Sequence, residues 1–179
     1  DANTASGNYH GFDISGVFSG GEMSHNQASG NNAHGFYVSE LNGGTIKSNT
    51  ATNNDADSDG TGSGFQIATF ASGTIGGAAA ADANTASGNY HGFRVGTISG
   101  GTLRGNSAGS ESGGNIHDGF HVLTIESSGS VSNNTATRNG FSGFFTHDLY
   151  GTMENNKATS NTTDGFQLNT FHYGGSMLN

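Results

Sequence analysis

The stretch Asp55-Ala56-Asp57-Ser58-Asp59-Gly60 is the one best suited to chemistry. Its carboxylates on alternate residues, with a glycine directly behind, match the opening of a calcium loop, where hard oxygen donors surround the cation and glycine makes the sharp turn. Asn53 or Asn54, the Thr61 carbonyl and Ser63 supply further oxygens. The twelfth place holds Gln66 where such loops carry a bidentate glutamate, so an acidic loop without an ion is the competing reading. Calcium, through Asp55, Asp57 and Asp59, is the cofactor this loop suggests.

Histidine forms a second pattern. His10, His34 and His91 each precede a Gly-Phe pair, and the equivalent places elsewhere hold Ser63, Asp118, Ser142 and Asp164. His117, Asp118 and His121 form a local group. Imidazole beside carboxylate suits metal binding or proton transfer. A solvated corner, however, accepts any polar residue, and His10 and His91 lie in duplicated text, so a plain polar column is the simpler reading. Cleavage of a sugar polymer would need clustered carboxylates with a basic residue. Tyr90, Arg94 and Arg138 have no recurring acidic pair near them, and the chain is not expected to be an enzyme.

These residues sit on a tandem repeat. Gly-Phe is followed two places on by an apolar or near-apolar residue seven times, as Phe12/Ile14, Phe36/Val38, Phe65/Ile67, Phe93/Val95, Phe120/Val122, Phe144/Thr146 and Phe166/Leu168. The spacings are 24, 29, 28, 27, 24 and 22 residues, the signature of one supersecondary turn that buries its apolar side only against neighbours. Each Phe has an apolar partner five residues later, from Val17 and Leu41 to Phe171, and then a Gly-x-apolar step ending at residues such as Met23, Leu103 or Met177. Asn-x-Ala follows, and a second Asn lies five residues beyond the first in every copy but one, where Glu111 stands.

Apolar stretches of three to five residues between Gly, Asn and Ser never sustain a helical period, so the elements are short strands. The 32 glycines supply turn conformations, and the absence of proline suits strands paired on both sides. The expected fold is all-β: a single parallel β-helix over residues 1–179, about seven coils of three short strands, with coils starting near Asn3, Asn26, Asn49, Asn84, Asn106, Asn134 and Asn156. Equivalent positions would stack at about 4.8 Å. That arrangement predicts an interior phenylalanine column, a narrow corner column of alanines, and a ladder of asparagine amides.

The step from an apolar residue to Asn-x-Ala, as in Met23 to Ala28, Ile46 to Ala51 and Leu103 to Ala108, with a downstream Gly-Phe, resembles the right-handed parallel β-helix repeats of bacterial cell-surface proteins. Autotransporter-like adhesins and polymorphic outer membrane proteins are the nearest comparison. The resemblance spans the whole chain and implies right-handed coils and an extracellular or cell-surface location. It speaks to fold, because such repeats also occur in polysaccharide lyases, epimerases and phage tailspikes.

A net charge of −9 with only five basic residues argues against nucleic acid and anionic membrane surfaces as partners. No apolar run is long enough to insert in a membrane. Residues 1–12 and 82–93 are the same twelve letters, DANTASGNYHGF, so an internal block has been duplicated. Both ends fall at coil boundaries, which leads to the expectation that the stack continues, in a longer chain or by head-to-tail stacking of copies. Outward hydroxyls beside the alanines, among them Thr50, Thr52, Thr135 and Thr137, would form an array of the kind used by ice-binding solenoids. Tyr37 and Phe145 occupy the outward place after the Phe and would stack on sugars if grouped on one face. The function these features favour is a structural or adhesive rod, filament or surface adhesin; a polysaccharide-binding or polysaccharide-cleaving solenoid and an ice-binding one are the alternatives.

Overall fold

The computed structural model describes residues 2–55 and 59–178. The chain winds through seven coils into a parallel β-solenoid. Apart from a bridge between Ser110 and Gly113, the pairings among the described residues are parallel. Its helical content there is one short 3₁₀ turn, Ala80–Asp82. No helix among them is long and apolar enough to cross a membrane.

The Asn-x-Ala steps form one seven-stranded sheet, from Thr4–Ser6 through Thr50–Thr52 to Lys157–Thr159. The Phe strands and the Gly-x-apolar strands belong to a second sheet of twelve strands. In the second and third coils they run together as Phe36–Lys47 and Ser63–Gly76, which join the two arms of that sheet; the other coils keep three separate strands. The alanines are therefore not at a corner. Ala28, Ala51, Ala86, Ala108 and Ala136 sit inside their sheet and point into the core.

The corners belong to asparagine. The residue ahead of the first Asn takes a left-handed conformation in six of the seven coils, at Ala2, His25, Ser48, Gly105, Asn133 and Asn155. A similar turn precedes the second Asn, for example at Gly7, Asn53 and Arg138. Such turns reverse the chain sharply and suit Gly and Asn, whereas other residues adopt them at a cost. The stacked amides repay that cost. From the second coil on, each ladder carboxamide accepts, at Oδ1, the backbone N–H and the side-chain Nδ2–H of its counterpart one coil earlier, as Asn106 does from Asn84 at 3.2 and 3.0 Å. Its own Nδ2 donates to the next coil and also back to a backbone carbonyl, as Asn106 does to Asn134 Oδ1 at 3.1 Å and Ile75 O at 2.9 Å. Every polar atom of the amide is thus satisfied in the dry interior.

Two positions differ from the expectation for a reason of chain length. The second ladder runs Asn8, Asn31, Asn54, Asn89, Asn115, Asn139, Asn161, so Asn115 and not Glu111 fills the fifth rung. Four extra residues around the Ser110–Gly113 bridge displace the amide along the sequence while leaving it in register. In the first coil a bulge between Ile14 and Val17 turns Val17 outward, 56% exposed, and pairs Phe18 with Leu41 in its place.

Between the sheets the phenylalanines stack as one column. Successive ring centroids lie 4.7–4.9 Å apart with interplanar angles of 4–9°. In the first six coils the glycine before the Phe is fixed by close approach. A Cβ on Gly92 would stand 2.6 Å from Gly119 O, 2.8 Å from Asn115 Nδ2 and 2.9 Å from Ala108 Cβ, so the ladder, the alanine column and the next coil together exclude any side chain there.

Candidate functional site: an aromatic and histidine face

The place before Gly-Phe and the place after the Phe lie on one edge of the solenoid. Register stacks the second of these as Asp13, Tyr37, Gln66, Arg94, His121, Phe145 and Gln167. Tyr37 and Phe145 thus share one column, four coils apart. They do not stand alone. His10 and His34 stack at 5.1 Å with 6° between planes, and Tyr37 covers both at 5.4 and 5.8 Å. Tyr9 packs on His10 at 4.5 Å. Further along, Tyr90 and Phe141 flank His117 at 5.2 and 4.5 Å, and Phe145 stacks on His121 at 4.6 Å. Between the two groups a cleft of about 260 Å³ is lined by Gly60, Thr61, His91, Arg94 and His121. Arg94 also donates to Gln66 Oε1 at 3.1 Å.

The polar column before Gly-Phe carries its own hydrogen bonds, which spacing alone does not reveal. The side chain of one coil accepts the backbone N–H of the next: His10 Nδ1 from His34 at 3.3 Å, His34 Nδ1 from Ser63 at 3.1 Å, and Asp118 Oδ1 from Ser142 at 3.0 Å. An imidazole that accepts at Nδ1 is neutral. Burial, aided by the neighbouring His10, brings the His34 pKa down to about 4.

Register also completes the histidine group. His91 of the fourth coil is brought beside His117, Asp118 and His121 of the fifth. Asp118 Oδ2 lies 2.8 Å from His121 Nδ1, 3.0 Å from His117 Nδ1 and 3.6 Å from His91 Nδ1. Burial alone would raise the Asp118 pKa, but the hydrogen bond from His121, the nearby imidazoles and the Ser142 amide hold it below the usual carboxylate range. Burial drives His91 the other way for its class, down to about 3. A second, more exposed group ties Asp148 to His147 and His172, each at 2.8 Å.

The acidic loop is described only in part, since Asp57 lies outside the described residues. Asp55 is buried and its Oδ1 accepts the N–H groups of Thr61 and Gly62 at 3.2 and 2.8 Å. Asp59 Oδ1 accepts Thr61 N–H and Oγ1–H at 2.8 and 2.6 Å. The hydroxyl face lies on the seven-stranded sheet. Thr50 and Thr135 share one outward column and Thr52 and Thr137 the other, but Gln27 and Lys157 interrupt the first and the buried Gly109 the second. No protein-family model, curated protein or solved structure matches the chain.

Proposed function

We propose that this chain is a stiff structural and adhesive solenoid, displayed at the cell surface or outside the cell, whose aromatic and histidine face lies along a polysaccharide. The observation that carries this reading is the convergence of Tyr37 and Phe145 in one column, each backed by histidine rings, with a polar cleft between them. A sugar ring presents an apolar face and an equatorial rim of hydroxyls. Aromatic rings stack on the former, while Arg94 and the imidazole nitrogens offer donors and acceptors to the latter. Rigidity serves such a partner, because platforms fixed by ladder hydrogen bonds lose little entropy when a polymer docks.

The same reading includes continuation of the stack. The first coil offers Phe12, Phe18 and Met23 along its outer edge, and the seventh offers Phe166, Met177 and Leu178. A further coil of the same repeat, from more of the polypeptide or from a second copy, would bury them and pair the open strands. Affinity electrophoresis through gels containing neutral or uronic-acid polysaccharides tests the binding. Retarded migration is expected for the native chain and lost in a Tyr37→Ala/Phe145→Ala double variant with an unchanged far-ultraviolet spectrum; equal mobility of the two in every gel would refute it.

A further inference from the structure

Asp118 is engaged at both carboxylate oxygens. Its Oδ1 is taken by the Ser142 amide, so the carboxylate cannot turn, and its Oδ2 faces three imidazoles. Only His121 forms a hydrogen bond to it. His117 Nδ1 lies at 3.0 Å without hydrogen-bond geometry, and His91 Nδ1 stands at 3.6 Å; both are buried with no hydrogen-bond partner. His91 is 6% exposed, and an unpartnered polar atom in such a place costs free energy comparable to a lost hydrogen bond. A shared proton cannot satisfy this set, because one carboxylate oxygen is asked to serve three nitrogens.

A cation can. Zinc-class ions bind imidazole nitrogen and carboxylate oxygen at about 2.0–2.2 Å in a tetrahedron, which sets ligand-to-ligand edges of about 3.3–3.6 Å. The separations of 3.0 and 3.6 Å from Asp118 Oδ2 bracket that edge, and one ligand atom each from His91, His117 and Asp118 lie within 4.8 Å of one another. We propose that His91, His117 and Asp118 bind a divalent transition-metal cation of the zinc class, with His121 as the positioning residue that donates to the ligating carboxylate. Two imidazoles and one carboxylate favour such ions over calcium or magnesium, which prefer oxygen throughout. The supporting shell is already in place. Tyr90 and Phe141 fix the ring of His117, Phe145 fixes that of His121, and the Ser142 amide fixes Asp118. Solvent reaches the group through the cleft that His91 and His121 line with Gly60, Thr61 and Arg94.

The duplicated segment supplies an internal comparison. His10 occupies the place of His91 in an identical twelve-residue stretch, but the following coil there carries Ala33-His34 where the fifth coil carries His117-Asp118. Without the carboxylate, His10 and His34 simply stack. The ion would therefore fasten the fourth coil to the fifth at this corner alone among the duplicated pair. This site stands on the buried cluster and does not depend on the polysaccharide reading.

The test is calorimetric titration of the chelator-stripped chain with zinc, and with cobalt followed in the visible spectrum. Ser63 and Ser142 occupy the places of His91 and Asp118 in other coils and Ala33 that of His117, so His91→Ser, Asp118→Ser and His117→Ala use residues the fold already accepts. One ion per chain is expected, with four-coordinate cobalt bands. Each of the three variants should lose at least about 100-fold in affinity, and His121→Ala about 10-fold, at unchanged circular dichroism. A His147→Asn/Asp148→Asn variant should bind as the native chain does. Absence of binding at micromolar zinc would overturn the proposal. So would native affinity in the correctly folded His91→Ser and His117→Ala variants, or loss of binding confined to the His147/Asp148 variant.

Discussion

Asn134 accepts the backbone and side-chain N–H groups of Asn106 at 2.9 and 3.1 Å, and donates to Asn156 Oδ1 at 3.0 Å and Leu103 O at 2.9 Å. Asn134→Ala removes the acceptor for a buried backbone N–H and leaves two neighbours short of a partner. The loss should be about 3 kcal/mol, or roughly 10 °C in Tm by thermal melting. A change of this size is out of proportion to a single polar side chain on a surface, and a drop under a degree would show that the ladder carries no stability. His34 contributes to the pH response. Its imidazole stacks on His10 and Tyr37, accepts the Ser63 amide, and feels Arg94, Asp59 and Asp13. An unfolded histidine takes its proton near pH 6.5. The folded one resists until about pH 4, so in that window the unfolded chain binds more protons. Stability contributed by neutral His34 is complete above about pH 6.5 and declines as the pH falls toward 4. Tm followed from pH 7.5 to 4.5 should fall more steeply in the native chain than in His34→Ser, and parallel slopes would refute the assignment.

At the scale of the element, the phenylalanine strand sets the register. Phe93 is fully buried between Phe65 and Phe120, whereas Phe166 of the seventh coil is only half-buried. Phe93→Ala should cost about 3–5 kcal/mol and Phe166→Ala less than half of that, measured by denaturant unfolding. Equal costs would mean that the column is not what holds adjacent coils. The repeat made this column, the alanine column and the first asparagine ladder legible in the sequence, because all three recur at the same order in every coil. What the sequence hid is where length varies. An insertion moved a ladder amide from the place of Glu111 to Asn115, and a bulge exchanged Val17 for Phe18, since backbone pairing and not residue count decides which side chain points inward. The site was legible in part. His91 and Asp118 stand at equivalent places before Gly-Phe, and Tyr37 and Phe145 at equivalent places after the Phe, but the approach of three imidazoles to one carboxylate oxygen and the stacking of rings on histidines appear only once the strands are paired.

The seven coils, at about 4.8 Å each, make a rod with differently dressed sides. One side is a sheet of hydroxyls and small residues. The opposite character belongs to the edge where aromatic rings, imidazoles and a cleft follow the axis, and it is there that an elongated partner would find repeated footholds. A net charge of −9 disfavours nonspecific attachment to nucleic acid, and stacking and hydrogen bonding are the means of contact that the proposed reading uses. The most direct measurement is an aromatic carbon–proton NMR titration with an oligosaccharide of whichever polymer retards the chain. Shifts are predicted for Tyr9, Tyr37, Phe145 and the rings of His34 and His121, with the buried Phe65 and Phe93 unmoved. Saturation with none of these resonances shifted, or with changes confined to the threonines of the seven-stranded sheet, would contradict the account.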